Sequence, residues 1–342
     1  MAEAAMRTLA CWLLVASLSW AEGTASVDPV LTLRDAGAED QDDMCVWVDA
    51  SDPSRSVVIG SDKKAAKLFV YGLDGKTLHV VTPPGKPGNI DVRCGLQIGG
   101  EKVDIVGFND RDHALVCVYR IDPKTRALAR IDDGEIATTD PNYGFALYHS
   151  AVSGKLYAFV SHEGEGPIEQ FELSDDGKGK VTGAKVREWQ VASTCEGIAA
   201  DDERGRVYIA EEDRGVWELG AEPGDETPGE LVVRVGENGL EADCEGVAIW
   251  RGADGKGYLL LSSQGNDSFK VYDRAAPHAF LGSFAITGAK ETDGIEAPHA
   301  PLGDRFPDGV FLAHDGGPGI TLTPWDRIAS ALGLGTGDHD GK

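Results

Sequence analysis

Glu196-Gly197-Ile198-Ala199 and Glu245-Gly246-Val247-Ala248 are near copies, each preceded by a cysteine. Each leads into a tyrosine-centred apolar run, Val207-Tyr208-Ile209 and Gly257-Tyr258-Leu259. Related openings recur at Asp43 before Val46-Trp47, Asp91 before Val92, Tyr143-Gly144 before Phe145-Ala146, and Asp293-Gly294 before Ile295. The first apolar residues are then 46, 92, 145, 198, 247 and 295, a period of about 50 residues. Between the openings lie short β-rich runs bounded by Gly, Asp, Asn or Pro, such as Val57-Val58-Ile59-Gly60, Leu115-Val116-Cys117-Val118-Tyr119 and Leu156-Tyr157-Ala158-Phe159-Val160. A sustained 3.6-residue period is confined to a short stretch near Asp326 to Leu332. Six units of about four strands predict an all-β chain, a six-bladed β-propeller with four-stranded antiparallel blades around a central channel. No linker interrupts the repeat, so residues 26–342 read as one domain.

Composition agrees. Apolar residues make up 42% of the 342, enough for a core, and 44 glycines suit many turns. The chain carries 57 acids against 32 bases, a net charge of −25. Such a field repels polyanions, which argues against nucleic-acid or membrane-surface binding unless a cation mediates. Arg7, the apolar run Leu9 to Trp20 and the small residues Ala21, Gly23 and Ala25 have the order of a secretory leader, taken as residues 1–25. A secreted or periplasmic, monomeric protein is expected. Cys45, Cys94, Cys117, Cys195 and Cys244 remain after the leader, an odd number that leaves at least one thiol unpaired.

In a propeller, equivalent residues of all blades converge on one mouth of the channel. The openings carry Asp42, Asp43, Asp91, Tyr143, Glu196, Asp243, Glu245 and Asp293, and seven of these eight are acids. Like charges crowded in one funnel repel unless cations lie among them. Oxygen ligands on flexible loops select a hard ion, Ca²⁺ before Mg²⁺. Bases stand close by: Lys63-Lys64, Arg93 and Arg111. Metal-binding acids beside Lys and Arg describe a pocket for a highly phosphorylated small molecule.

The tracts Asp42-Asp43-Met44-Cys45-Val46-Trp47, Asp62-Lys63-Lys64, Asn89-Ile90-Asp91-Val92-Arg93, Tyr143 to His149, Glu196 to Glu203, Tyr208 to Glu212, Asp243-Cys244-Glu245-Gly246, Ser262-Ser263-Gln264-Gly265-Asn266 and Glu291-Thr292-Asp293-Gly294 resemble the β-propeller phytases, in order and over nearly the whole chain. The resemblance implies a calcium-dependent 3-phytase that hydrolyses myo-inositol hexakisphosphate (phytate) stepwise, with several calcium ions and a metal-bound water attacking phosphorus in line. By the same resemblance Asp43, Glu196, Glu212, Glu245 and Asp293 would hold calcium, with Asp42, Asp91 and Asp243 as further ligands. Lys63 or Lys64, Arg111 and Tyr143 would contact phosphate, with Lys63, Arg111, Tyr143 and Glu196 the catalytic set. Met44-Cys45 stands where the family usually shows Pro-Ala, and a lysine that many relatives carry is absent from Val160 to Gln170, where His162 is the nearby residue that would contact phosphate. Two other functions suit the same fold: a calcium-stapled propeller that binds glycans or a partner protein, and a calcium-dependent lactonase. Neither requires the basic residues.

Overall fold

The computed structural model describes residues 23–336, so the expected leader lies almost wholly outside the described residues. Its last member, Ala25, opens the first strand, Ala25–Val27. The chain forms six sheets arranged as a propeller. Blade 1 runs from its inner strand Gln41–Trp47 outward through Val57–Asp62, Lys67–Gly72 and Thr77–Val81. Blades 2 to 5 repeat the pattern from inner strands Pro87–Ile98, Asn142–His149, Cys195–Asp201 and Cys244–Arg251. Blade 6 begins with the two-residue strand Ile295–Glu296, followed by Val310–His314 and Gly319–Pro324. Each inner strand packs on the next, and that of blade 6 returns to that of blade 1.

The sequence contains too few strands after Ile295 for a full last blade. The N-terminus supplies the missing one: Leu31–Arg34 pairs antiparallel with Gly319–Pro324. Ala25–Val27 adds a fifth strand to blade 5, parallel to Phe280–Ile286. The ring is thus closed by hydrogen bonds between the two ends of the chain. The expected short helix is Trp325–Leu332, whose Trp325 ring stacks on Trp250 at 4.8 Å.

Blades bury both faces of most strands, which is why these runs are continuously apolar rather than alternating. Val57, Val58, Ile59, Leu68, Phe69, Val70 and Tyr71 are all fully buried. Apolar side chains collect in six clusters, one at each interface between neighbouring blades. Cys45, Cys117, Cys195 and Cys244 are buried and Cys94 is exposed; all five are free thiols. Among the described residues no helix is long and apolar enough to cross a membrane.

The register corrects two of the six openings. Four inner strands are irregular at the same place, between Pro87 and Ile90, Asn142 and Phe145, Cys195 and Ile198, and Cys244 and Val247. Ile90 is therefore the blade-2 equivalent of Ile198, and Val92 lies two residues further down the channel. In blade 1 the irregularity falls between Gln41 and Asp43, so Met44, opposite Gly60, is the equivalent of Ile198 and Val46 lies two residues further on.

Candidate active site at the mouth of the channel

Two concentric sets of residues line the mouth. The inner set sits at the irregular start of the inner strands: Asp42, Tyr143, Glu196 and Glu245, joined by Asp293 just before blade 6. The glycine that follows the acid is a steric requirement. A Cβ on Gly144 would strike the carbonyl oxygen of Glu196, one on Gly197 that of Glu245, and one on Gly246 that of Asp293. Close approach of neighbouring inner strands thus explains the repeated acid-glycine pair.

The outer set is the residue just past the second strand in blades 1 to 5. Its backbone N–H donates to the carbonyl immediately before the inner strand: Lys63 to Asp40, Arg111 to Lys86, Glu163 to Pro141, Glu212 to Thr194 and Gln264 to Asp243. In blades 1 and 2 a buried aspartate locks the turn. Asp62 accepts from the N–H groups of Lys64 and Ala65, and Asp110 accepts from those of Asp112 and His113. Each leaves the next residue, Lys63 or Arg111, projecting at the mouth.

The acids meet in two groups. Ligand atoms of Asp42, Glu196 and Asp293 lie within 4.8 Å of one another, and so do those of Glu196, Glu212 and Glu245. Glu196 belongs to both. Asp42 is 1% exposed and Glu245 4% exposed, yet Asp42 Oδ2 and Glu245 Oε2 have no hydrogen-bond partner. Burial, followed by repulsion from neighbouring carboxylates, raises the pKa of Glu196 and Glu245. Burial likewise raises that of Asp42 against the opposing pull of Lys63, and pushes Glu212 up to about 7. Tyr143, half-buried and close to Glu196 and Glu245, is held firmly in its phenol form. Orphaned buried oxygens, hard donors only and mutual repulsion fit a pair of divalent cations sharing Glu196.

The remaining expected residues are placed as follows. Lys63 Nζ lies 2.7 Å from Asp42 Oδ1 and 2.9 Å from Asp293 Oδ2. Lys64 points to solvent, 66% exposed, with Glu39 at 3.8 Å. Arg111 lies over the Tyr143 ring at 4.3 Å and 3.2 Å from Glu163. His162 ends the second strand of blade 3 opposite Asn142, and its Nδ1 is buried without a partner. Asp43 is outside both groups: its Oδ2 accepts from Ile90 N–H at 3.0 Å, tying blade 1 to blade 2. Asp91 is also outside them, because the true register sets it deeper in the channel. There it accepts from Leu147 N–H and pairs with Arg93 at 2.8 Å. Arg93 is held between Asp91 and Asp202 and does not reach the mouth. Asp243 stands near Glu212, whose pKa it helps to raise, but joins neither group.

Three neighbours escaped the sequence reading. Gln264 Nε2 donates to Asp293 Oδ1 at 2.7 Å, Glu163 holds Arg111, and buried His314 lies 3.5 Å from Asp293 Oδ2. Each occupies the end of a second strand or the position after it, so counting from the repeat would have found them.

Comparisons with known proteins identify the family. The 3-phytase of Bacillus subtilis (strain 168) is 40% identical over 333 residues, covering 90% of this chain and 84% of that protein. Among solved structures, a luciferin-regenerating enzyme matches with a TM-score of 0.56 at 12% identity, covering 86% of this chain and 95% of that one. The calcium-binding protein regucalcin from Agrobacterium tumefaciens matches with a TM-score of 0.54 at 13% identity, covering 88% and 97%. At such identities these two speak for the propeller fold alone. The family model described as Phytase spans residues 15–333, and the chain belongs to the phytase family.

Proposed function

We propose that the protein is a calcium-dependent 3-phytase that removes phosphate from phytate stepwise at the mouth of the channel. The observation that carries this reading is the meeting of two cation-fitting acid groups, joined through Glu196, with Lys63 and Arg111 on the same rim. A glycan-binding propeller or a lactonase has no use for those bases. Asp42, Glu196 and Asp293 would hold one ion and Glu196, Glu212 and Glu245 another. Bound there, calcium supplies charge neutralisation and acidifies water for in-line attack on phosphorus.

The chain's own residues do the rest. Arg111 is planar and pre-positioned by Tyr143 and Glu163, so it offers a phosphate two donors at little entropic cost. Tyr143, kept protonated, donates a hydrogen bond and does not act as a base. Lys63 adds a mobile positive charge. His162 faces the same rim as a weaker phosphate contact. As the new oxygen bonds phosphorus, the inositol oxygen leaves with the P–O bonding pair and takes up a proton. The product keeps its other phosphates, so the same site can accept it again.

We further propose export of a monomer after removal of residues 1–25. The deciding experiment is phosphate release from phytate with added Ca²⁺ and with excess EDTA. Calcium-dependent release supports the proposal; full turnover in chelator removes it. N-terminal sequencing of secreted protein and sedimentation test the leader and the monomer.

A further inference from the structure

Both oxygens of Asp293 carry a contact. Its Oδ1 accepts from Gln264 Nε2 at 2.7 Å, and its Oδ2 lies 2.9 Å from Lys63 Nζ. The same ammonium is 2.7 Å from Asp42 Oδ1. A divalent ion can share Oδ1 with the amide through its second lone pair, but on Oδ2 it meets a competing positive charge. Binding through Oδ1 with the ammonium in place would put two mutually repelling cations on the same pair of acids.

We propose that Lys63 is a built-in substitute cation: its ammonium holds Asp42 and Asp293 until calcium takes them, and the displaced ammonium then becomes the phosphate-binding arm. The inference rests on the reading that Asp42, Glu196 and Asp293 hold an ion.

The surroundings allow this movement and confine it to the side chain. The Lys63 backbone is fixed, its N–H bonded to Asp40 O at 3.1 Å. Asp62 pins both limbs of the turn, accepting from the N–H groups of Glu39 and Asp40 on one side and Lys64 and Ala65 on the other. The Lys63 side chain is 27% exposed, so it has an open path to the mouth. A waiting partner lies in that direction: Asp40 Oδ2, 4.0 Å from Nζ and 30% exposed. Arg111 provides the contrast. It carries the same charge on the same rim and acts on Asp42 through space, but its direct contacts are with Glu163 and the Tyr143 ring, not with Asp42 or Asp293.

The test is calcium titration of chelator-treated full-length protein by calorimetry, without substrate. Lys63→Met should bind its ion at the Asp42–Glu196–Asp293 group at least tenfold more tightly, because no occupied state has to be displaced first. Arg111→Met, which removes the same charge, should change that affinity less than threefold. Lys63→Met should also lower the melting temperature of the calcium-free protein and leave the loaded protein unchanged, while Lys63→Arg restores the calcium-free value. Equal affinities in Lys63→Met and wild type would overturn the inference. So would an equal gain in Arg111→Met, or an equal melting-temperature loss with calcium bound. If neither wild type nor Lys63→Met takes up calcium, the cation reading falls, and this inference with it.

Discussion

Gly197 faces the carbonyl oxygen of Glu245 so closely that a methyl group on Gly197 would overlap it. The obstacle is backbone, in the middle of the ring of inner strands, and cannot rotate away. Gly197→Ala should destabilise the protein by about 1–3 kcal/mol, the range for overpacking a rigid site. Denaturant melts of the calcium-free protein check this. Gly99, by contrast, has open space around its Cβ direction, although its φ of +59° imposes backbone strain on any replacement.

Glu196 serves both acid groups and Glu212 only one. Glu196→Gln should therefore impair both ions and lower turnover by orders of magnitude with the fold retained. Glu212→Gln should cost less and reduce the calcium stoichiometry by a single ion. Kinetics, calorimetry and circular dichroism separate loss of metal from loss of structure. Rates near wild type in Glu196→Gln would remove it from the site.

Without calcium, stability should fall as pH rises. Glu212 holds its proton to about 7 in the folded protein, against an ordinary carboxyl value near 4.5. Between those values the folded state binds more protons than the unfolded chain, so stability decreases with pH across that window. Asp42, Glu196 and Glu245, also raised, add to the same slope. With calcium the sign reverses, because protons then compete with the ion for the carboxylates. Melting temperatures with and without EDTA should converge near pH 4.5, where protons displace the ion, and separate progressively toward pH 7.5.

His162 ends the second strand of blade 3, next to Glu163 on the rim, with Nδ1 buried and unpartnered. A lysine there would supply a permanent charge. His162→Lys should lower KM for phytate about tenfold or more with kcat nearly unchanged, since a charge-assisted hydrogen bond contributes about 1.5–3 kcal/mol. An unchanged KM would show that Lys63 and Arg111 already satisfy the phosphates.

The repeat was legible wherever backbone sterics wrote it. Glu196-Gly197 and Glu245-Gly246 share a glycine because the next blade's carbonyl permits nothing larger. Asp91 was misplaced because strands alternate faces and a two-residue error keeps the face but changes the depth. Asp42 and Asp43 could not be separated by pattern alone: one faces the mouth and its neighbour faces Ile90. Lys63, Arg111, Glu163, Glu212 and Gln264 occupy one backbone position but have different chemistry, so only the shared N–H to carbonyl bond reveals their equivalence. The closing strand Leu31–Arg34 resembles no blade opening, and its role depends on a partner at the far end of the chain.

That closure fixes when the enzyme can exist. Asp42 belongs to the first blade and Asp293 to the threshold of the last, and they meet only across the seam sealed by Leu31–Arg34 and Gly319–Pro324. During synthesis the first of these strands must wait for nearly the whole chain to emerge before its partner appears. A truncated or still-growing polypeptide therefore has no complete Asp42–Glu196–Asp293 group. Competence arrives in one step, at ring closure, and a chain nicked at the seam would lose it the same way.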